Sequence, residues 1–271
     1  MGKIIDKIKQ APKAQPFFSF EFFPPKTDAG VENLYLRMDR MTGLQPMFVD
    51  ITWGAGGSTK DLTMAISEYT HTYFGVDVLM HLTCTNMKVD ELKQILIAAR
   101  NAGIENILAL RGDPPKGAVS WESTPSGCAN AVDLVKLIRK EHGDYFGIAV
   151  AGFPEGHPQS KEHSDVDLIY LKEKIDAGAD FILTQFFYDP SIFLGFVEKC
   201  KDNGIKCPIL PGMGGYLIAN YFIFRLQGLL NTNWKFSYLR ILFILLITIL
   251  FLICFKEFCV PSQLNVNSTI P

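Results

Sequence analysis

Ser19-Phe20-Glu21-Phe22-Phe23-Pro24-Pro25-Lys26 reads as a short β-strand that stops on two prolines. Proline has no N–H for a strand ladder and fixes φ, so pairing ends at Pro24 and Pro25 and a loop begins. Glu21 therefore lies near the C-terminal end of the first strand. In a parallel α/β barrel that end is where catalytic side chains gather. A single glutamate there also fits a solvated edge carboxylate. What favours the first reading is repetition, because the same strand followed by a polar end recurs along the chain.

Working outward, apolar β-rich runs fall at 17–22, 48–52, 76–83, 106–110, 147–151, 181–185 and 207–210. Segments with apolar residues at three- and four-residue spacing alternate with them, at 30–41, 59–74, 89–102, 129–142, 165–177 and 191–203. A further amphipathic helix is expected around Ile4–Ile8. Gly103, Gly143, Gly178 and Gly204 follow four of these segments, as helix-ending glycines do. This alternation predicts an α/β fold, a parallel sheet with helical crossovers. Seven such strands favour a (βα)8 TIM-type barrel, incomplete at its last strand and helices. A dinucleotide-binding open sheet wants G-x-G-x-x-G straight after the first strand, where this chain has Phe-Phe-Pro-Pro. The run Gly54-Ala55-Gly56-Gly57-Ser58-Thr59 could seat an anion at a helix start, and equally reads as an ordinary loop.

The chain has 271 residues, 48% of them hydrophobic, enough for one domain with a substantial core. The net charge of −2 gives no reason to expect a nucleic-acid partner. Setting aside residues 214–271, with their four basic residues and one acidic residue, leaves −5 for residues 1–213. The six cysteines form no C-x-x-C pair and no zinc-type cluster, so free thiols in a reducing compartment and no metal are expected. Residues 1–15 lack the apolar core of a secretory signal.

The strand ends carry Asp50, Thr52 and Trp53; His81, Thr83 and Cys84; Arg111, Gly112 and Asp113; Phe153 and His157; and Thr184 and Gln185. Taken alone, His81 also reads as a core histidine with its bonds satisfied, and Asp113 as a turn residue before two prolines. A barrel gathers all of them on one rim.

Together with 19–26, the stretches Asp50-Ile51-Thr52-Trp53-Gly54-Ala55-Gly56-Gly57-Ser58, His81-Leu82-Thr83-Cys84-Thr85-Asn86, Leu110-Arg111-Gly112-Asp113-Pro114-Pro115, Asp144-Tyr145-Phe146-Gly147, Ala177-Gly178-Ala179-Asp180-Phe181 and Thr184-Gln185-Phe186-Phe187 resemble methylenetetrahydrofolate reductase, in its plant form. The resemblance covers about residues 1–213. It implies FAD at the C-terminal rim of the barrel, reduced by a nicotinamide dinucleotide, NADH in the plant form and otherwise NADPH. Reduced flavin then passes hydride to the folate substrate, making 5-methyltetrahydrofolate for methionine synthesis. By the same resemblance Glu21 is the general acid, kept protonated by desolvation with Phe20, Phe22 and Phe23 around it. Asp113 is the acidic residue beside the flavin, and Gln185 the folate-binding residue. Thr52, Trp53, His81, Arg111, Gly112, Asp113, Asn130, Ala131, Phe153, His157, Asp167 and Lys174 fall on the FAD-contact motifs. Arg111, His157 and Lys174 suit pyrophosphate or ribose on charge grounds. Phe153 stands where tyrosine is usual, and Asn130 where an aromatic is usual. A cytoplasmic, often homo-oligomeric enzyme is implied.

The resemblance is expected to stop at Pro211-Gly212-Met213, dividing the chain into a reductase part, 1–213, and a divergent tail, 214–271. The tail holds an apolar run, Ile241–Phe255, between Arg240 and Lys256. With residues from 238 onward it makes a candidate transmembrane helix over 238–255, hence a membrane contact. A second reading is a truncated, weakly active or inactive form of the enzyme, associated with a membrane.

Overall fold

The computed structural model describes residues 1–12, 16–54, 59–112, 126–157, 165–187 and 189–213. Seven strands form one sheet, parallel throughout and ordered as in the chain: β1 (Ser19–Phe22), β2 (Phe48–Ile51), β3 (Val78–Thr83), β4 (Asn106–Leu110), β5 (Gly147–Gly152), β6 (Phe181–Thr184) and β7 (Ile209–Leu210). A helix precedes β1, and one helix crosses between each pair of neighbours: α1 (Ile4–Gln10), α2 (Asp28–Thr42), α3 (Lys60–Tyr69), α4 (Val89–Asn101), α5 (Ala131–His142), α6 (Asp165–Asp176) and α7 (Pro190–Asp202). An unreversed strand order is that of a barrel sheet, since doubly wound sheets reverse at a switch point. Among the described residues β1 pairs only with β2 and β7 only with β6, so the sheet is a partial barrel.

Each expected strand is present, its ends within two residues of the expected bounds. The helices match as closely except at 59–74. There α3 ends at Tyr69 and a π-helical turn, Thr70–Phe74, completes the segment before Gly75 at φ 63°. The turn accompanies a stack of Tyr69 on Tyr35 (4.0 Å between centroids) and on Tyr73 (4.5 Å). Gly103, Gly143, Gly178 and Gly204 all take positive φ at helix ends.

Alternation along the strands decides what faces the interior. The register pairs Glu21 with Asp50, Asp50 with Leu79, His81 with Leu108, Leu108 with Ala149, and Ala149 with Phe181. At the N-terminal end of the strands this face is apolar: Phe48, Leu79, Leu108, Ala149 and Phe181 pack with Ile4 and Ile5 of α1. That short helix is a floor. It is tied down by Asn106, whose Oδ1 accepts from Ile4 N–H (2.8 Å) and whose Nδ2 donates to Gly2 C=O (3.2 Å). Asp77 accepts from Gly2 N–H at 2.9 Å and pairs with Lys7. Nearby, Asp180 Oδ2 accepts from Arg139 Nη2 (2.8 Å) and Ile148 N–H (2.7 Å). That motif therefore holds α5 to the start of β5.

The chain divides into two units. All seven strands lie in Met1–Gln185 with Ile192–Pro211. The other unit is Phe186–Ser191 with Gly212–Pro271; in it Ser191 N–H donates to Asp189 Oδ1 at 2.8 Å at the start of α7. The candidate membrane helix over 238–255 lies outside the described residues. Among those described, no helix is long and apolar enough to cross a membrane.

Candidate functional site

With the floor closed by α1, the polar residues of the inner face fall at the other end of the strands. Glu21 is the third residue of β1. Phe20 and Phe22 point the opposite way, are buried, and form an aromatic row with half-buried Phe18 (centroids 5.3 and 6.4 Å apart). Phe23 is largely exposed. The expected phenylalanine surround of Glu21 is thus corrected: strand alternation sends those rings to the helix side. The neighbours of Glu21 are polar. Its carboxyl is open to solvent yet enclosed enough that desolvation raises its pKa; His81 opposes that rise and Asp50 adds to it.

Asp50 and His81 are both buried, with Asp50 Oδ1 facing His81 Nε2 at 3.7 Å. This is an ion-pair separation, too long for a hydrogen bond. Burial raises the Asp50 pKa, and interactions with His81 and the Ser19 side chain oppose the rise. Asp50 Oδ1, Trp53 Nε1, His81 Nε2 and Thr83 Oγ1 are buried and lack hydrogen-bond partners among the described residues. Buried polar atoms are nearly always paired. Four orphans at the ends of β2 and β3 mark a place built for the polar atoms of a ligand.

The loop after β2 is held from α3. Thr63 Oγ1 donates to Thr52 C=O (3.0 Å) and lies 3.1 Å from Thr59 Oγ1, which accepts from Gly54 N–H (2.7 Å). Residues 55–58 of the glycine run lie outside the described residues, as does Asp113. Arg111 C=O accepts from Thr85 N–H at 3.0 Å, which folds the end of β4 over the end of β3. Gly112 sits at φ 93°, where a Cβ would come within 2.8 Å of Thr83 Cβ. Only glycine permits that approach. Cys84 Sγ joins this group, 3.6 Å from Arg111 C=O and 3.7 Å from Asn130 C=O, and burial pushes its thiol up to about 12. Asn130 caps α5: its Oδ1 accepts from Asp133 N–H (3.1 Å), while Asp133 Oδ2 accepts from Ala129 N–H (3.0 Å). Ala131 opens that helix.

A second group surrounds the end of β5. Lys174 Nζ donates to Ala151 C=O (2.7 Å), Asp167 Oδ2 accepts from His157 N–H (3.0 Å), and Phe153 meets His157 edge-on (4.6 Å). Desolvation lowers the Lys174 pKa to about 8, against the raising effect of Asp167. Gln185 N–H donates to Gly152 C=O (2.8 Å), placing its exposed side chain just past β6.

Glu21, Thr52 and His81 are thereby set on adjoining strands. Arg111, Gly112 and Asn130 join them through β3, and Phe153, His157, Asp167, Lys174 and Gln185 cluster about β5. Asp50 was expected on the rim but carried no assigned role. Its signal was available in register: Asp50 holds the same position in β2 that Glu21 holds in β1.

The family model described as methylenetetrahydrofolate reductase matches residues 5–231, running past residue 213. The chain is 51% identical over 241 residues to "Methylenetetrahydrofolate reductase (NADH) 1" of Arabidopsis thaliana, covering 85% of this chain and 40% of that protein. It is 42% identical over 195 residues to "5,10-methylenetetrahydrofolate reductase" of Escherichia coli, covering 72% of this chain and 63% of that one. The chain thus spans about two fifths of the plant relative's length. Among solved structures, a Clostridium thermocellum protein that binds two copies of 5-methyl-5,6,7,8-tetrahydrofolic acid is similar with a TM-score of 0.52 at 15% identity, covering 94% of this chain and 86% of that one. A 2,3-dimethylmalate lyase is similar with a TM-score of 0.53 at 9% identity, covering 90% and 95%. These two likenesses concern the fold. The sequence matches, over most of the chain and at up to half identity, place it in the methylenetetrahydrofolate reductase family.

Proposed function

We propose that residues 1–213 carry the site of an incomplete TIM-type barrel that reduces 5,10-methylenetetrahydrofolate to 5-methyltetrahydrofolate, with FAD as the bound cofactor and NADH as the electron donor. The observation that carries this reading is Glu21: a carboxyl with raised pKa, open to solvent, beside buried polar atoms that lack partners. Family membership supplies the substrate class, and relatives named for NADH favour that donor.

The residues present suit a flavin nucleotide. Trp53, His81 and Thr83 offer unpaired buried polar atoms, and Gly112 leaves the end of β4 without a side chain. Thr52 and Arg111 flank them, Lys174 brings positive charge to the end of β5, and the His157 ring lies in the loop that follows. Asn130 and Ala131 start a helix whose N-terminus favours an anion. FAD, when bound, supplies two-electron hydride chemistry.

Glu21 supplies the proton. Opening the methylene bridge requires a proton on a folate nitrogen, and a carboxyl above its ordinary range still holds one nearer neutrality. The Glu21 O–H bond breaks as the N–H bond forms, leaving a carboxylate that solvent reprotonates. Gln185, past β6, hydrogen-bonds the folate. Asp113 is assigned to the flavin side, where its charge disfavours added electron density.

Half-reactions test the reading. Glu21→Gln keeps the shape and removes the proton, so NADH reduces the flavin at an unchanged rate while folate-dependent reoxidation falls by ~100-fold or more. Equal loss of both half-reactions with flavin still bound would sink the assigned role.

A further inference from the structure

We propose that Asp50, held beside His81, is a positioning residue for Glu21: the buried pair governs when the Glu21 carboxyl carries its proton. The inference rests on Glu21 being the proton donor. Glu21 and Asp50 are register partners on β1 and β2, on one face of the sheet, so their side chains leave the backbone about 5 Å apart. His81 lies on the same face of β3, two residues beyond the register partner of Asp50. Among the described residues, the charged groups facing this corner are Glu21 from β1, Asp50 from β2 and His81 from β3, with the Ser19 hydroxyl on the β1 side.

Three features separate this arrangement from a structural ion pair. Asp50 is 2% exposed, so its charge is poorly screened by solvent. Asp50 Oδ1 and His81 Nε2 face each other at 3.7 Å with no hydrogen bond between them or to any other described residue. A pair built for stability would close that gap or fill its remaining valences. Finally, the two groups act on Glu21 with opposite sign: the Asp50 charge raises its pKa and the His81 charge lowers it. A carboxylate beside Glu21 makes a second negative charge unfavourable and so retains the proton. A cation at His81 releases it. No atom passes through Asp50 or His81; they act by charge.

The test is a titration of the Glu21 carboxyl in the full chain, by 13C NMR with labelled glutamate. The resonance is identified by its loss in Glu21→Gln. Asp50→Asn removes a charge at constant shape, and Glu21 should bind its proton about tenfold more weakly. His81→Gln removes the ring that opposes the rise, and the midpoint should move the other way. In the unsubstituted chain the His81 ring signals should show an inflection at the Glu21 midpoint that Glu21→Gln abolishes. Midpoints unmoved in both folded variants, or moved in the same direction, overturn the proposal. Should either variant fail to fold, the coupled inflection in the unsubstituted chain decides, and its absence is equally fatal.

The titration needs neither folate nor flavin. A chain that shows these shifts but lacks reductase activity would defeat the functional reading and spare the pair. In an active chain, the pH limb of folate-dependent reoxidation should move with the Glu21 midpoint in each variant.

Discussion

Lys174 shows how one buried side chain makes binding depend on pH. Desolvation brings it from 10.5 to about 8, so it is a cation below that value and neutral above it. If it neighbours the anionic part of FAD, affinity should drop several-fold between about pH 7 and about pH 9. Fluorescence titration would measure this, and Lys174→Met should bind more weakly at the lower pH and lose the slope. The sign for stability is opposite. Between about 8 and 10.5 the unfolded chain holds this proton and the folded chain does not, so without ligand stability rises with pH across that window. Such residues were partly legible in the sequence. Charge and family position single out Lys174, whereas its burial depends on how α6 packs on β5. Asp50 was legible as a rim residue but not as a partner of Glu21, because strand register, not proximity in sequence, brings the two together. Phe20 and Phe22 were misread as the surroundings of Glu21 because the period of two was not applied to their own strand.

Strands and helices were more legible than single contacts, because they rest on patterns many residues long. Alternating apolar runs and helix-ending glycines located every one of the seven strands and the helices between them. What patterning left out was local chemistry. Asn130 stands where an aromatic is usual, and the family position does not announce that its side chain caps α5. The turn over Thr70–Phe74 differs from an α-helix in hydrogen-bond spacing, which the apolar period does not report. Gly152, at the end of β5, gives an element-level prediction. A Cβ there would lie 2.8 Å from Ile182 Cγ2 and 3.1 Å from Phe196 Cζ. Gly152→Ala should therefore cost ~1–3 kcal/mol in urea unfolding. It should also disturb Gln185, whose N–H is bonded to Gly152 C=O, and so raise KM for folate more than for NADH.

Across the sheet as a whole, polar chemistry occupies one end of the strands and apolar packing the other, and α1 belongs to the second. Ile4→Ala removes a fully buried side chain from the junction of several strands. Loss of ~2–5 kcal/mol is expected, read from the urea midpoint. The affinity of the remaining folded protein for FAD should change little, because the floor lies opposite the site. The partial closure of the sheet among the described residues was legible in the seven strand patterns. The floor was not, since an amphipathic heptapeptide announces a helix without announcing its partner.

That floor has a consequence for synthesis. The residues α1 covers run from Phe48 to Phe181, and Lys3 Nζ reaches Asp144 C=O, 141 positions away. At roughly 5–20 residues per second, the ribosome needs on the order of ten seconds to deliver Phe181 after Ile5. Throughout that interval Ile4 and Ile5 have no finished seat. The nascent chain thus carries an uncovered apolar segment, a natural handle for a holding chaperone until the last strand of its seat emerges.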